Sequence, residues 1–92
     1  MDITWDTQKA RRLRDDRGID IREIADLITD GKYTTILENP SRPSQFIFVV
    51  PYHDYTHVVP FVIAKDETIV LKTVYPSRRF HHLYGESNES KT

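Results

Sequence analysis

Apolar residues between positions 20 and 30 recur with the spacing of an amphipathic helix. Four of them follow the i, i+3, i+4, i+7 pattern that places side chains on one helix face: Ile21, Ile24, Ala25 and Ile28. Asp20 precedes this run as a favourable N-cap, and Gly31 follows it as a favourable stop. The pattern therefore predicts a helix that contributes one face to the hydrophobic core.

The segment before this helix predicts a second helix that is mostly polar. Asp6 is a suitable N-cap, "TQKARRLRDDR" is rich in helix formers, and Gly18 ends the segment. Its apolar residues are limited almost entirely to Ala10 and Leu13. We expect a surface helix with a thin apolar anchor, and Trp5 just before it to cover one end of the core.

After Gly31 the pattern changes to that of β-strands. Four runs are rich in β-branched and aromatic residues: 33–38, 45–52, 57–64 and 68–75. The joints between them are short and polar, so consecutive strands are expected to form an antiparallel meander. Pro51 and Pro60 each remove a hydrogen-bond donor from a predicted strand, which predicts bulges or irregular pairing there.

The last predicted strand is apolar on both faces. Ile69 and Leu71 alternate with Val70 and Lys72, so neither face is strongly polar. We therefore expect the second face of the sheet to be partly covered by a partner or another subunit.

The closing stretch "YPSRRFHHLYG" predicts a short C-terminal helix that begins after Ser77 and stops at Gly85. Helical spacing places Phe80, Leu83 and Tyr84 on one face, which we expect to dock on the sheet. Three basic residues share the opposite face: Arg78, His81 and His82.

Together these elements predict an α+β fold: two N-terminal helices packed on a four-stranded antiparallel sheet, with a short C-terminal helix. Ninety-two residues suffice for one domain, which we place at residues 1–85. The polar tail, residues 86–92, lacks core-forming side chains and is expected to be disordered.

Composition narrows the possible functions. There is no cysteine, which excludes disulfides, thiolate nucleophiles and cysteine zinc sites. The net charge of −1 argues against a broadly basic nucleic-acid coat, so any nucleic-acid site must be a local patch. No apolar run approaches the roughly 20 residues that span a bilayer, and the N-terminus lacks the order of a signal peptide. We expect a cytoplasmic protein that is not bound to a membrane.

Two groups of residues resemble functional sites but favour plainer interpretations. His53 and His57 have the i, i+4 spacing of helical metal ligands, but they lie in a predicted hairpin, which favours ordinary surface histidines. Neither a metal nor another cofactor is predicted. The first helix carries five basic residues, but Asp15 and Asp16 lie among them, which favours a solvated, salt-bridged face over a nucleic-acid patch.

The cluster "SRRFHH" differs because it contains no acidic residue, and the nearest ones are Glu67, well before it, and Glu86, beyond its C-terminal end. Uncompensated cations at a helix start favour an anionic partner such as phosphate. Metal-free RNA cleavage needs a base, cations around the phosphate and an acid for the leaving oxygen. Candidate cations are Arg78, Arg79 and Lys72. Candidate proton donors or acceptors are His81 and Tyr84, with His53 as a further candidate base if the hairpin tip folds toward this helix.

Two segments resemble BrnT-type toxins of the RelE superfamily. In "WDTQKARRLRDDRGIDIREIADLI" five residues match the family in order and spacing: Trp5, Asp6, Lys9, Gly18 and Ile19. "TVYPSRRFHHLYG" is similar to its closing segment, in which an Arg pair precedes a short helix that ends near a Tyr; the matching positions are Arg78, Arg79 and Tyr84. The family usually has a polar residue where Leu13 stands and a His where Arg17 stands.

The resemblance implies a ribonuclease that arrests growth and a cognate antitoxin that blocks it. The antitoxin would be a small protein with a DNA-binding half, encoded in the adjacent frame, and the toxin would form a homodimer or a hetero-oligomer with it. We therefore expect a metal-independent endoribonuclease toxin of a type II toxin-antitoxin system. The alternative is a non-catalytic module on the same scaffold that binds protein or nucleic acid.

Overall fold

The two N-terminal helices begin and end where their capping residues predict. A computed structural model describes residues 2–85, in which α1 spans Thr7–Arg17 and α2 spans Ile21–Thr29. Asp6 caps α1 by accepting hydrogen bonds from the backbone nitrogens of Lys9 and Gln8, which lowers the pKa of its carboxyl group. The predicted tail, residues 86–92, lies outside the described residues. Within the described part, no helix is long and apolar enough to cross a membrane.

Helix burial follows the apolar pattern. Leu13 is the only buried residue of α1, which confirms its thin anchor. The buried residues of α2 are those that the spacing predicts: Ile21, Ile24, Ala25 and Ile28. The charges of α1 are exposed, and no ion pair within 4.0 Å joins them to any described residue, so the predicted salt bridges are wrong. Lys9 Nζ instead donates to the Lys72 carbonyl at 3.5 Å.

Within residues 2–85, the sheet has six strands instead of the four predicted. These strands are β1 (Ile3–Trp5), β2 (Thr35–Glu38), β3 (Phe46–Tyr52), β4 (Tyr55–Ile63), β5 (Ile69–Leu71) and β6 (Tyr75–Pro76). Their order is β1-β5-β4-β3-β2, with β6 also paired to β4. The antiparallel meander is confirmed for β2 to β5. The fully antiparallel sheet is wrong, because β1 pairs in parallel with β5.

The two strand prolines do not create bulges, but Pro60 explains why the last predicted strand divides into β5 and β6. The register of β3 and β4 runs without interruption past both prolines, so the predicted bulges are wrong. The carbonyl of Pro60 faces the last strand and accepts a hydrogen bond from the Lys72 backbone nitrogen at 2.8 Å. The nitrogen of Pro60 points the same way and has no proton to donate, so pairing breaks between β5 and β6. Pro51 faces the open space beyond the start of β2, where no donor is needed.

The core lies between the N-terminal helices and one face of the sheet. Ile24 and Val50 are fully buried in this layer, and Phe48 stacks on Phe61 with ring centroids 4.2 Å apart. Trp5 packs against the same cluster from β1, as expected for a residue that covers one end of the core.

The second face of the sheet is covered by the chain itself where we expected a partner. Helix α3 spans Arg78–Tyr84 and packs against β4. Ile47, Val49 and Val58 lie on this face and are all less than 5% exposed. The expectation that this face requires another subunit is therefore wrong for its central residues.

The orientation of α3 differs from the prediction. Ser77 caps the helix by accepting a hydrogen bond from the Phe80 backbone nitrogen, as expected. Leu83 is 55% exposed, whereas His81 is turned toward the sheet and contacts Thr56. Hydrogen bonding and stacking of His81 on β4 fix this rotation, so an apolar pattern alone could not predict it.

Candidate functional site

A tight hairpin gathers aromatic and imidazole rings at one end of the sheet. Strands β3 and β4 are joined by His53 and Asp54, which both have positive φ (51° and 63°), as a two-residue type I′ turn requires. Tyr52 and Tyr55 face each other across this turn. The hairpin tip therefore carries two tyrosines beside histidines from the turn, from β4 and from α3.

Tyr52 connects the hairpin to α2. Its hydroxyl donates to Glu23 Oε1 at 2.8 Å and accepts from the Asp20 backbone nitrogen at 3.1 Å. Burial raises the pKa of Tyr52, which keeps the hydroxyl protonated. His53 stacks on the Tyr52 ring at 3.9 Å, and its Nε2 lies 3.7 Å from Glu23 Oε1. His53 therefore lies on the α2 side of the hairpin and does not fold toward α3.

His57 is the buried histidine of the hairpin, only 7% exposed. Its Nδ1 lies 3.0 Å from the Tyr55 carbonyl oxygen; because a carbonyl only accepts, Nδ1 carries the proton. Burial lowers the pKa of His57, so the ring is neutral at pH 7 and Nε2 has a free lone pair. Among the described residues, every side-chain nitrogen or oxygen that is closed off from solvent has a hydrogen-bond partner. Nε2 of His57 has no such partner among them, so this atom is in contact with solvent.

His81 completes the edge of β4. The Thr56 backbone nitrogen donates to His81 Nδ1 at 3.2 Å, and the Thr56 hydroxyl lies 3.0 Å from the same atom. The Thr56 carbonyl accepts from the Ser77 nitrogen at 3.0 Å, so the His81 ring takes the place of the next strand carbonyl. Because Nδ1 accepts, the proton of the neutral ring lies on Nε2. The ring also stacks on Tyr55 with centroids 4.1 Å apart.

The arginine pair lies at the start of α3. Arg78 and Arg79 are exposed, and neither guanidinium lies within 4.0 Å of a carboxylate among residues 2–85. Arg79 extends over the Phe80 ring, 5.8 Å from its centroid. Pro76 pairs with His57, so Arg78 begins α3 only two residues after the strand that borders this histidine. Two uncompensated cations therefore lie beside the ring cluster.

The six predicted site residues lie at three separate places. Arg78, Arg79, His81 and Tyr84 share α3; Tyr84 and His81 line one cleft between this helix and the hairpin. Lys72 lies apart, beside Pro60, which β4 separates from His57 by three residues or roughly 10 Å. His53 lies apart as well, on the α2 side of Tyr52.

Sequence reasoning did not assign a catalytic role to His57. The available signal was its place in the alternation of β4, because His57 is in phase with Val59 and Phe61 on the core face. A histidine that points into the core needs a hydrogen bond, and His57 makes one through Nδ1. Its Nε2 makes none to the described residues and is available for chemistry. Within the described residues, no three His, Asp or Glu side chains are placed to hold a metal ion.

Comparison of the chain with protein-family models, with curated proteins and with solved structures finds no match. The site must therefore be interpreted from its own geometry.

Proposed function

We propose that this protein is a metal-independent endoribonuclease toxin of a type II toxin-antitoxin system. The observation that carries the proposal is the exposed arginine pair Arg78 and Arg79, which has no carboxylate partner among residues 2–85 and lies on the helix that also supplies His81 and Tyr84. The resemblance of residues 3–85 to BrnT-type toxins supports the same function. RNA, with its 2′-hydroxyl beside each phosphodiester, is the substrate that such a set of groups can cleave.

The proposed reaction is attack of the 2′-oxygen on the adjacent phosphorus. A side-chain base takes the 2′-hydroxyl proton, the new P–O bond closes a 2′,3′-cyclic phosphate, and the bond to the 5′-oxygen breaks. His57 is the candidate base because its Nε2 is open, although its ring lies on the α2 side of β4. Arg78 and Arg79 stabilise the charge on the phosphoryl oxygens, and Nε2–H of His81 donates to one of them. The hydroxyl of Tyr84 gives its proton to the leaving 5′-oxygen. Lys72 contributes charge at longer range, and His53 is left outside the reaction.

Two measurements test this function. Expression of the chain without a partner should arrest growth, and the purified protein should cut RNA in excess EDTA, because the proposed base, acid and cations are all side chains. Products ending in 2′,3′-cyclic phosphate are expected. Cleavage that appears only with a divalent ion would overturn the metal-free reaction and return attention to His53 and His57.

The alternative function is a non-catalytic interaction module, and one surface feature favours it. A groove of about 260 Å³ opens between α2 and the edge strand β2, with Tyr33 and Phe48 in its lining. Ile36 and Ile63 on its rim are 44% and 56% exposed. Purified protein that binds RNA or a protein and never cleaves RNA would support this function instead.

A further inference from the structure

The cleft between the β3–β4 hairpin and α3, which we call the hairpin cleft, has the size and lining of a nucleobase site. Its volume is about 230 Å³. This lies just below the range of about 300–1000 Å³ found for sites of larger small molecules, so the cleft suits one planar base better than a whole cofactor. Tyr55, His81 and Tyr84 line it, and aromatic rings are the surfaces on which bases of single-stranded RNA stack.

One charged side chain among the lining residues distinguishes this cleft from a general stacking surface. Asp54 lines the cleft and has no hydrogen bond or ion pair to any other described residue. A carboxylate only accepts hydrogen bonds, so it favours a ligand with donors and disfavours one with acceptors at the same place. The two-residue turn fixes the backbone of Asp54 at positive φ, so the carboxylate is held at the rim and not on a long loop.

We propose that the hairpin cleft binds a guanine base of single-stranded RNA, with Asp54 reading its Watson–Crick edge. Guanine presents two neighbouring donors there, N1–H and the N2 amino group, which match the two oxygens of one carboxylate. Adenine and cytosine each place a ring acceptor beside their amino group, and uracil places a carbonyl on either side of its single N–H. The inference rests on the proposed function, because it names the substrate feature that the same site selects.

The position of the cleft relative to the arginines fits a nucleotide. His81 lines the cleft, and Arg78 lies one helical turn before it on α3. A base held against His81 and Tyr84 therefore has its own phosphate within reach of the arginine pair. The cleft would select the base at which cleavage occurs, while the arginines would act on any phosphodiester.

The test is an NMR titration of the full chain with 5′-GMP, AMP, CMP and UMP, and with inorganic phosphate as a control for the arginines. GMP should shift amides of Asp54, Tyr55 and Tyr84 and bind at least about tenfold tighter than the other nucleotides. Asp54→Asn should remove that preference. Asp66→Asn, which also removes one carboxylate from an exposed turn, should preserve it. Equal binding of all four nucleotides, or GMP shifts confined to the arginines, would overturn the proposal.

A cleavage assay separates this inference from the function on which it rests. If RNA is cut in EDTA with no preference for guanine, the ribonuclease stands and the guanine site is wrong. If GMP binds selectively but RNA is not cut, the guanine site stands and the ribonuclease is wrong.

Discussion

His57 shows how one hydrogen bond can decide the state of a residue. Its Nδ1 donates to the Tyr55 carbonyl at 3.0 Å, which directs the lone pair of the neutral ring to Nε2. Burial lowers the pKa of this histidine and holds it in the form that can accept a proton. His81 has the opposite arrangement, because its Nδ1 accepts from Thr56 and its proton lies on Nε2. The two neutral histidines therefore carry their proton on different ring nitrogens, Nδ1 in His57 and Nε2 in His81.

The lowered pKa of His57 predicts a pH-dependent stability. The folded state binds fewer protons at this residue than the unfolded state, whose His57 titrates near the ordinary value of 6.5. Its contribution is therefore complete above pH 6.5 and is lost as pH falls below that value. His57→Asn keeps an N–H donor for Tyr55 but does not titrate, so its thermal midpoint should fall less between pH 7.5 and 5.5 than that of the wild type. Equal losses in the two proteins would contradict the assignment.

At the scale of elements, the docking of α3 depends on a close contact at Gly85. Gly85 follows the last residue of α3, as the sequence predicted. Its φ of −89° is open to any residue, so a left-handed turn does not explain the glycine. A Cβ at this position would collide with His81 Nδ1 and lie 2.5 Å from the His81 carbonyl oxygen. The glycine is required because the chain passes directly over the imidazole that caps β4.

This contact predicts that Gly85→Ala displaces the His81 ring from Thr56. The variant should lose RNA cleavage and the stacking of His81 on Tyr55, while the core layer around α2 stays folded. Circular dichroism and the NMR shifts of Thr56 are the measurements. Wild-type RNA cleavage and unchanged Thr56 shifts in Gly85→Ala would contradict the role of this contact.

The sequence predicted the helices and strands more accurately than it predicted the contacts between them. Caps and apolar spacing located α1 and α2 because these signals are local, whereas the sequence placed the start of β4 two residues late and did not predict its register with β3. Strand β1 has only three residues, too few for a periodic signal, and its parallel pairing with β5 depends on a distant segment. The division of β5 from β6 depended on which way Pro60 faces, which no local pattern reports. In the site, the arginines of α3 could be predicted from the sequence. The role of His57 could not, because it depends on a buried hydrogen bond to the Tyr55 carbonyl.

At the scale of the whole molecule, the free arginines predict how a partner would neutralise the protein. A protein inhibitor of a phosphate site is most effective when its own carboxylates satisfy the same cations. We therefore expect an antitoxin from the adjacent frame to place acidic side chains on Arg78 and Arg79. Co-expression should abolish growth arrest, and charge reversal of both arginines to Glu should weaken the complex. A complex that leaves both guanidinium groups exposed would refute this mode of inhibition.

The exposed apolar groove beside Ile36 and Ile63 is where such a partner could make its remaining contacts. The second face of the sheet is already closed by α3 at its centre, so it offers little apolar area. Exposed Ile36 and Ile63 lie on the helix side of the sheet, Ile36 on the edge strand β2 and Ile63 at the end of β4. A partner that contacts both the arginines and this groove would therefore have to contact both faces of the sheet.

The most direct measurement of the central claim is the rate of RNA cleavage in excess EDTA by a variant lacking both arginines. Arg78→Ala with Arg79→Ala removes two exposed side chains, so the thermal midpoint should be preserved. The account predicts a loss of roughly a hundredfold or more, the effect of removing one preorganised transition-state contact. Arg11→Ala with Arg12→Ala on α1 removes the same charge and should retain most of the activity. Wild-type cleavage by the Arg78, Arg79 variant would show that the reaction occurs elsewhere on the molecule.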